Sequence, residues 1–248
     1  MKKIYFISDA HLGAHSEEIE KIKVTNLISF FKSIKKKADY LYIVGDLYDF
    51  WFEYSKVIPK VNLKVLANLN QLVESGIEVR YLTGNHDLWQ DGYLQNEIGV
   101  KIYHEPVEVS HNSLKLFIAH GDGLAKRNWS LRLQKRVFKS PVNIFLYRLL
   151  HPDIGIPLAM KVSAKSTERE EKRYEQDYRN FATSKLNEGF QAVILGHTHV
   201  PLFEKINSGY YINLGDWMKK FTYLEMTGKK LELKSWGKRN EKKFPETS

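Results

Sequence analysis

Side chains suited to binding metal ions follow five short apolar runs of this sequence. They fall in the segments DAH, GDLYD, GNHD, AHGD and GHTH. The candidate residues are Asp9, His11, Asp46, Asp49, Asn85, His86, Asp87, His120, His197 and His199. Carboxylate, amide and imidazole groups bind divalent ions such as Mn²⁺, Fe²⁺ and Zn²⁺. The five segments together therefore predict a metal site.

Each segment taken alone has an ordinary structural explanation. Asn and Asp tolerate unusual backbone angles and bond to their own turns, so Asn85 to Asp87 alone would be read as a polar turn. Five such segments in succession, each at the end of an apolar run, favour one shared site over five unrelated turns. The sequence contains no cysteine, which excludes disulfides, thiolate ligands and thiol nucleophiles.

This ligand chemistry suits phosphoryl transfer. Two divalent ions about 3.5–4 Å apart can stabilise both the attacking and the leaving oxygen of an in-line displacement at phosphorus. A carboxylate fits between such ions as a bridge. Mixed oxygen and imidazole donors favour Mn²⁺, Fe²⁺ or Zn²⁺ over an all-oxygen magnesium site.

The apolar runs are rich in β-branched and aromatic residues and predict strands. Helical spacing between the first three runs, at 24–35 and 61–74, gives a β-α-β-α-β order, which predicts parallel strands with helices packed outside them. The predicted strands are KIYFIS (3–8), DYLYIVG (39–45), IEVRYLT (77–83), LKLFIA (114–119), QAVIL (191–195) and YYINLG (210–215).

The second half of the chain has a different rhythm. Strands become closely spaced after about residue 100, with a hairpin expected to turn at 207–209, so the sheet should be mixed. A mostly helical stretch at about 124–188 interrupts them. We therefore expect a single domain over residues 1–248, with a helical lid inserted at about 124–188.

Composition limits the partners and the compartment. The chain has 38 Lys and Arg against 29 Asp and Glu, a formal charge of +9, so its surface should attract anions. The apolar run at the N-terminus, residues 4–7, is too short for a signal peptide, and no stretch reaches about 18 apolar residues. These features predict a soluble cytoplasmic protein.

In their order, the motifs D-x-H, G-D-x-x-D, G-N-H-D, H-G-D and G-H-T-H resemble the calcineurin-like metallophosphoesterase superfamily. The resemblance implies an α/β sandwich of two mixed β-sheets flanked by helices, and a metal-dependent phosphoric ester or diphosphate hydrolase. It implies two metal sites bridged by Asp46, one formed by Asp9, His11 and His199 and the other by Asn85, His120 and His197. It also implies catalytic roles for Asp46, Asn85 and His86, with His86 acting on the transition state or the leaving oxygen and Asp87 orienting it.

Within the superfamily, the segments ISDAHLG, VGDLYDFWFEY, HGDGLAKRN and INLGDWMKKFTYLE are similar to the UDP-2,3-diacylglucosamine hydrolases of lipid A synthesis. That similarity implies hydrolysis of the diphosphate to UMP and 2,3-diacylglucosamine 1-phosphate, with two divalent ions, of which Mn²⁺ is expected and Fe²⁺ or Zn²⁺ would also fit. The sequence departs from those enzymes at His86, where their best-known members carry Arg, and at Asn128, where an acid is expected.

The lid segment is the candidate substrate contact. No acidic residue occurs between Gly123 and Pro152, where basic and large apolar residues alternate. Such a mixture suits phosphates on one side and acyl chains or the inner membrane surface on the other, although an amphipathic helix packed on a core has the same composition. The candidate substrate-binding residues are His86, Lys126, Arg127, Asn128 and Arg132.

Two other functions would use the same fold. A nuclease or general phosphodiesterase would keep the metals, and basic residues interleaved with aromatic ones also suit single-stranded nucleic acid. A metal-dependent scaffold protein would usually lack some of the ligands, whereas every position is filled here. We expect a lipid-linked nucleotide substrate, peripheral contact with the cytoplasmic face of the inner membrane and no nucleic acid, and we infer no protein partner.

Overall fold

The computed structural model describes residues 2–87, 89–90, 92–124, 136–163 and 174–237. Its strands are β1 (Lys3–Ile7), β2 (Tyr40–Val44), β3 (Glu78–Leu82), β4 (Lys101–Tyr103), β5 (Val107–His111), β6 (Leu114–Ala119), β7 (Ala192–Leu195), β8 (Leu202–Ile206), β9 (Gly209–Asn213), β10 (Thr222–Thr227) and β11 (Lys230–Ser235). Its helices are α1 (Glu17–Ile34), α2 (Leu63–Glu74), α3 (Tyr93–Asn96), α4 (Pro141–Arg148), α5 (Pro152–Ser163) and α6 (Glu175–Asn187).

These strands form two mixed sheets. The first has six strands in the order β11-β10-β1-β2-β3-β4, with β1 to β4 parallel and β10 antiparallel to β1. The second has five strands in the order β5-β6-β7-β9-β8, with β6, β7 and β9 parallel. All the parallel strands except the short, partly exposed β4 are apolar runs identified from sequence, because a parallel strand buried on both faces needs no polar alternation.

The two sheets pack face to face. One core cluster joins Phe6, Val44 and Leu82 of the first sheet to Ile118 and Ile194 of the second. The alternate residues of β1 and β2 point to the outer face, where α1, α2 and α3 cover them. On the other side, α6 covers the second sheet through Tyr178 and Ala182. The result is an α/β sandwich, as predicted.

The sequence placed most of these elements correctly. All six predicted strands are present within two residues of their predicted ends, and the hairpin turns at Asn207, which has a positive φ of 54°. The first helix begins at Glu17, seven residues before the predicted start, because its first turn is acidic and not apolar. Glu17, Glu18 and Glu20 suit the positive end of the helix dipole.

The lid region is described only in part. Residues 136–138 and helices α4 and α5 are helical, in agreement with the predicted helical character. The single domain over 1–248 and the lid limits of about 124–188 remain predictions. Among the described helices, none combines the length and the apolarity needed to cross a bilayer.

Candidate metal centre

The predicted ligand segments meet at one edge of the sandwich. Asp9 follows β1, Asp46 follows β2 and Asn85 follows β3, so they lie at the carboxyl ends of neighbouring parallel strands. His120 follows β6 and His197 follows β7 of the second sheet. Backbone hydrogen bonds join these loops, from Asp9 N to Gly45 O at 3.1 Å and from Gly196 N to His120 O at 2.8 Å. Each sheet therefore supplies part of one site.

Backbone strain is concentrated at the candidate ligands. Ten described residues other than glycine have a positive φ, and five of them are candidate ligands. These five are Asp9 (56°), His11 (42°), Asp46 (51°), His197 (69°) and His199 (53°). A left-handed conformation of such residues costs of order 1–3 kcal/mol and is typically retained at functional sites. The loops thus hold these side chains in directions that relaxed turns would not give them.

Two glycines allow the loops to approach this closely. A Cβ at Gly84 would overlap Asp46 Oδ1 and lie 2.8 Å from the Asp46 backbone nitrogen. A Cβ at Gly45, where φ is +82°, would overlap the His120 ring. Gly45 of the G-D motif and Gly84 of G-N-H-D are therefore required because the neighbouring ligand leaves no room for a Cβ, and not only because of the turn.

The first ligand group contains Asp9, His11 and His199. Their donor atoms lie within 4.8 Å of one another. His199 Nε2 is 3.3 Å from Asp9 Oδ1 and 3.2 Å from His11 Nε2. Asp9 Oδ2 accepts a hydrogen bond from His197 N at 3.0 Å, whereas Oδ1 is buried and has no hydrogen-bond partner in the described part of the chain. A buried carboxylate oxygen in this position fits a metal ligand.

The second ligand group contains Asp46, His120 and His197, whose donor atoms also lie within 4.8 Å of one another. His120 Nδ1 is 2.9 Å from Val44 O, and because a carbonyl can only accept, Nδ1 carries the hydrogen. His120 Nε2 is then left with its lone pair, 3.1 Å from Asp46 Oδ2. This buried atom has no hydrogen-bond partner among the described residues, so it fits the tautomer of a metal ligand.

Asp46 and Asn85 complete the geometry. Asp46 Oδ2 lies 3.7 Å from His11 Nε2 and 3.1 Å from His120 Nε2, so this carboxylate stands between the two groups. Its Oδ1 accepts a hydrogen bond from His86 N at 3.0 Å. Asn85 Oδ1 is buried without a hydrogen-bond partner among the residues described. The donor set is thus suitable for two divalent ions with Asp46 between them.

The electrostatics of the cluster also favour cations. Burial alone would raise the pKa of Asp9 and Asp46, but the surrounding imidazoles lower both below the ordinary range. Burial lowers the pKa of His11, yet the carboxylates of Asp49, Asp9 and Asp46 raise it to about 10. The pKa of His197 falls to about 4 through burial and the nearby His120, so this ring is neutral. In the ion-free protein, the ionised carboxylates of Asp9 and Asp46 thus face the imidazoles of His11 and His120, whose pKa values they raise, and bound divalent ions would take the place of the imidazole protons.

His86 adjoins the cluster, since the donor atoms of His11, Asp46 and His86 also lie within 4.8 Å of one another, and it is oriented by Asp49. His86 Nδ1 is 3.0 Å from Asp49 O and 3.4 Å from Asp49 Oδ1. Asp49 Oδ1 is also 3.2 Å from His11 Nδ1, so one carboxylate contacts two imidazoles. His86 Nε2 is 4.0 Å from Asp46 Oδ2. Burial opposes the charged form of His86, but Asp46 and Asp49 raise its pKa above the ordinary value.

The expected role of Asp87 is corrected by these contacts. Its Oδ1 accepts from Gly84 N at 2.8 Å, and its Oδ2 accepts from Leu47 N at 2.8 Å and from the Tyr81 hydroxyl. Asp87 therefore fixes the loops of β2 and β3, whereas Asp49 contacts His86. Burial, with Asp46 close by, raises the pKa of Asp87 to about 6.

Sequence reasoning also missed a buried lysine. The Lys23 side chain is fully buried in α1, and its Nζ donates to His11 O and to Glu20 Oε1, both at 2.6 Å. Glu20 accepts from Gly13 N at 2.9 Å, so the pair holds the loop that carries His11. A lysine in an amphipathic helix ordinarily lies in solvent, and nothing in the helical spacing distinguished this one.

Four predicted substrate-binding residues lie outside the described residues. They are Lys126, Arg127, Asn128 and Arg132. The fifth, His86, lies beside the metal groups as given above. Trp51, Phe52 and Trp217 are core residues, as expected from their aromatic surroundings, with relative exposures of at most 1%.

Several known proteins are similar to this chain. The family model of the calcineurin-like phosphoesterases matches residues 2–201. A UDP-2,3-diacylglucosamine hydrolase of Porphyromonas gingivalis (strain ATCC BAA-308 / W83) is 29% identical over 256 residues, covering 94% of this chain and 97% of that protein. One of Haemophilus influenzae (strain PittGG) is 27% identical, covering 89% of this chain and 93% of its own length. Among solved structures, Yfce, a phosphoesterase from E. coli, has 17% identity and a TM-score of 0.48, covering 94% of this chain and 92% of its own.

Proposed function

The chain belongs to the calcineurin-like phosphoesterase family and is a metal-dependent phosphoesterase, and from this premise we propose that it hydrolyses UDP-2,3-diacylglucosamine to UMP and 2,3-diacylglucosamine 1-phosphate. The observation that carries the proposal is the pair of ligand groups with the Asp46 carboxylate between them, in a chain similar over 94% of its length to a hydrolase of that substrate. In the proposed setting, the protein acts in lipid A synthesis at the cytoplasmic face of the inner membrane.

The residues present fit two divalent ions. Asp9, His11 and His199 would hold one ion, Asn85, His120 and His197 the other, and Asp46 both. We propose Mn²⁺, because oxygen and imidazole donors are mixed and no thiolate is present; Fe²⁺ and Zn²⁺ accept the same ligands. When bound, such ions supply Lewis-acid activation of water and of the phosphoryl oxygens.

Among the protein's own groups, His86 is the one proposed to donate a hydrogen bond or a proton in the reaction. His86 Nδ1 is held against Asp49 O, and Nε2 is the nitrogen that faces the ligand cluster, 4.0 Å from Asp46 Oδ2. The raised pKa of His86 favours the protonated ring, which can donate a hydrogen bond to a developing negative charge or a proton to the leaving oxygen. Asp46 and Asn85 would act through their oxygens as ligands of the ions. We assign no contact to the lid residues outside the described part of the chain.

The lid suits contact with a lipid surface. Large apolar side chains of α4, α5 and their connection are exposed, with 61% for Phe145, 68% for Leu149 and 63% for Ile154. Arg148 lies among them, and the whole chain carries a formal charge of +9. Exposed apolar groups beside basic residues fit the interface of an anionic bilayer.

A vesicle assay tests this contact. Double substitution of Phe145→Ser and Leu149→Ser should reduce cosedimentation with phosphatidylglycerol vesicles, because it removes apolar surface that would enter the interface. Ile22→Ser on α1 removes a side chain that is 51% exposed elsewhere and should leave cosedimentation unchanged. Equal binding by all three proteins would reject the lid as the contact.

The activity is tested with metal-stripped protein to which Mn²⁺ is returned. UMP and the acylated sugar phosphate should appear together, only with metal, and Asp46→Asn should abolish both. Asp39→Asn, at the opposite end of β2, serves as the matched control and should remain active. If the lipid substrate stays intact while bis-p-nitrophenyl phosphate is cleaved, the substrate assignment is wrong and a general phosphodiesterase remains.

A further inference from the structure

A cavity of about 660 Å³ lies against His120. Three stretches of chain form it: the end of β3 with the β4–β5 connection, the loop after β6, and the residues ahead of α4. We call it the His120 cavity and define it by Thr83, Pro106, His120, Leu124, Arg136 and Lys139. Its volume lies within the roughly 300–1,000 Å³ typical of small-molecule sites.

The walls of the His120 cavity combine charged groups of both signs with apolar and hydroxyl groups. Arg136 and Lys139 supply positive charge, Glu105 and Asp122 negative charge, Leu124 and Pro106 apolar surface, and Thr83 a hydroxyl. Lys139 Nζ donates to His104 O at 3.2 Å and is 3.0 Å from Glu105 Oε1. Because the Glu105 side chain is 80% exposed, this ion pair is weak, and the ammonium group has a third donor for an anion. Cations beside apolar walls suit a molecule that has both a phosphate and a flat, partly apolar ring.

Other ligands fit the cavity less well. A free phosphate would fill only a small part of 660 Å³. Acyl chains need walls without charge, and the exposed apolar side chains of α4 and α5 offer those on another surface. A nucleoside monophosphate has the required size, the charge for Arg136 and Lys139, and a base for the apolar wall.

We propose that the His120 cavity binds the nucleoside monophosphate half of the substrate, with the phosphate toward His120 and the nucleoside between Pro106 and Leu124. The identity of the nucleotide as UMP rests on the proposed function above. In this arrangement, the cavity selects substrates that carry a nucleotide on the reacting phosphorus, and it retains UMP as a product inhibitor.

The test is isothermal titration calorimetry of the full-length, Mn²⁺-loaded protein with UMP, uridine and inorganic phosphate. The double variant Arg136→Ala, Lys139→Ala should bind UMP at least about tenfold more weakly, because two charge-assisted contacts are lost. Pro106→Glu, on a different and exposed stretch, should weaken binding similarly by repulsion. Lys229→Ala, in the β10–β11 turn, removes a lysine outside the cavity and should bind UMP as the wild type does.

Kinetics separate this inference from the proposed function. For each preparation, kcat/KM is measured on UDP-2,3-diacylglucosamine and on bis-p-nitrophenyl phosphate, which has no nucleoside. The kcat/KM on the lipid substrate, divided by the kcat/KM on bis-p-nitrophenyl phosphate, should fall about tenfold in both cavity variants, in parallel with the loss of UMP affinity. If the wild type does not cleave the lipid substrate, the proposed function fails, while UMP binding still decides the cavity. No UMP binding by the wild type, equal UMP affinity in the cavity variants, or phosphate binding as tightly as UMP would overturn the inference.

Discussion

At the scale of single residues, the site depends on side chains that hold other side chains. Asp49 is the clearest case, because its carboxylate contacts His11 at 3.2 Å and His86 at 3.4 Å. One of these imidazoles is a candidate ligand and the other the candidate acid. Removing the carboxylate would leave both rings free to rotate away from the positions that the ions and the substrate require.

We therefore expect Asp49→Ala to lower activity roughly 10- to 100-fold, with most of the loss in kcat and not in KM. Asp49→Asn keeps an acceptor oxygen for the imidazoles and should recover part of the loss. Asp39→Ala, which removes an acid just before β2 and away from the site, is the control. Steady-state kinetics with Mn²⁺ in excess checks the prediction, and an Asp49→Ala enzyme with wild-type kcat would show that the contact has no positioning role.

Gly84 tests whether close packing of the loops is necessary. Its φ is not positive, so alanine is tolerated by the backbone, but the added Cβ would overlap Asp46 Oδ1. We expect Gly84→Ala to displace Asp46 and reduce activity by at least about tenfold.

Gly76→Ala provides the opposite case. Here φ is +90° and nothing lies within 4 Å of the added Cβ, so the variant should lose about 1 kcal/mol of stability and keep its activity. Activity and urea unfolding of both variants separate overlap from backbone strain. Full activity of Gly84→Ala would show that the two loops accommodate the added Cβ without displacing Asp46.

At the scale of elements, β2 and β5 are joined across the sandwich by a buried histidine. Arg80 Nη1 donates to the Tyr42 hydroxyl at 2.8 Å, and that hydroxyl lies 2.7 Å from His111 Nε2. The hydroxyl therefore donates to the lone pair of a neutral His111. Burial, together with the charge of Arg80, lowers the pKa of His111 to about 4.

This contact makes the packing of the sheets dependent on pH. In the unfolded chain histidine titrates near pH 6.5, so between about pH 6.5 and pH 4 the unfolded state binds more protons, and stability falls as the pH is lowered. Relative to pH 7, the wild type at pH 4.5 should lose about 2 kcal/mol more than His111→Gln, which keeps an acceptor but has no titrating ring. Urea unfolding at the two pH values measures the difference, and parallel losses in both proteins would contradict the assignment.

Elements differ in how far the sequence could predict them. The parallel strands other than β4 were predictable because burial on both faces makes them continuous apolar runs, as in Leu41 to Val44. Strands β4, β5, β10 and β11 were not predicted individually, because they are short or carry polar residues on one face, as in the KLELKS of β11. Of the helices, α1 was recognised only from its apolar second half.

The site shows the same division. The ligand types were visible as motifs, because each lies next to its strand end. The contacts of Asp49 with His11 and of Lys23 with the loop of His11 were not visible, since they join residues that the fold brings together and not the sequence. Asn213 is a similar case: its amide donates to Gly196 O at 2.8 Å and so supports the loop of His197.

At the scale of the whole molecule, the site exists only when the two sheets pack together. The first sheet supplies Asp9, His11, Asp46 and Asn85, and the second supplies His120, His197 and His199. Asp46 is the residue at which the two sets meet, with imidazoles of both sheets within 3.7 Å of its Oδ2. The central claim is therefore that one carboxylate joins two ion sites built by separate sheets.

The count of bound ions tests that claim most directly. Metal-stripped wild-type protein is dialysed against Mn²⁺ and its metal content is measured, beside Asp46→Asn and the Asp39→Asn control. We predict about two ions per chain for the wild type and the control, and a loss of affinity at both sites in Asp46→Asn, since each site loses a charged ligand. One ion or none in the wild type, or two equally tight ions in Asp46→Asn, would contradict the account.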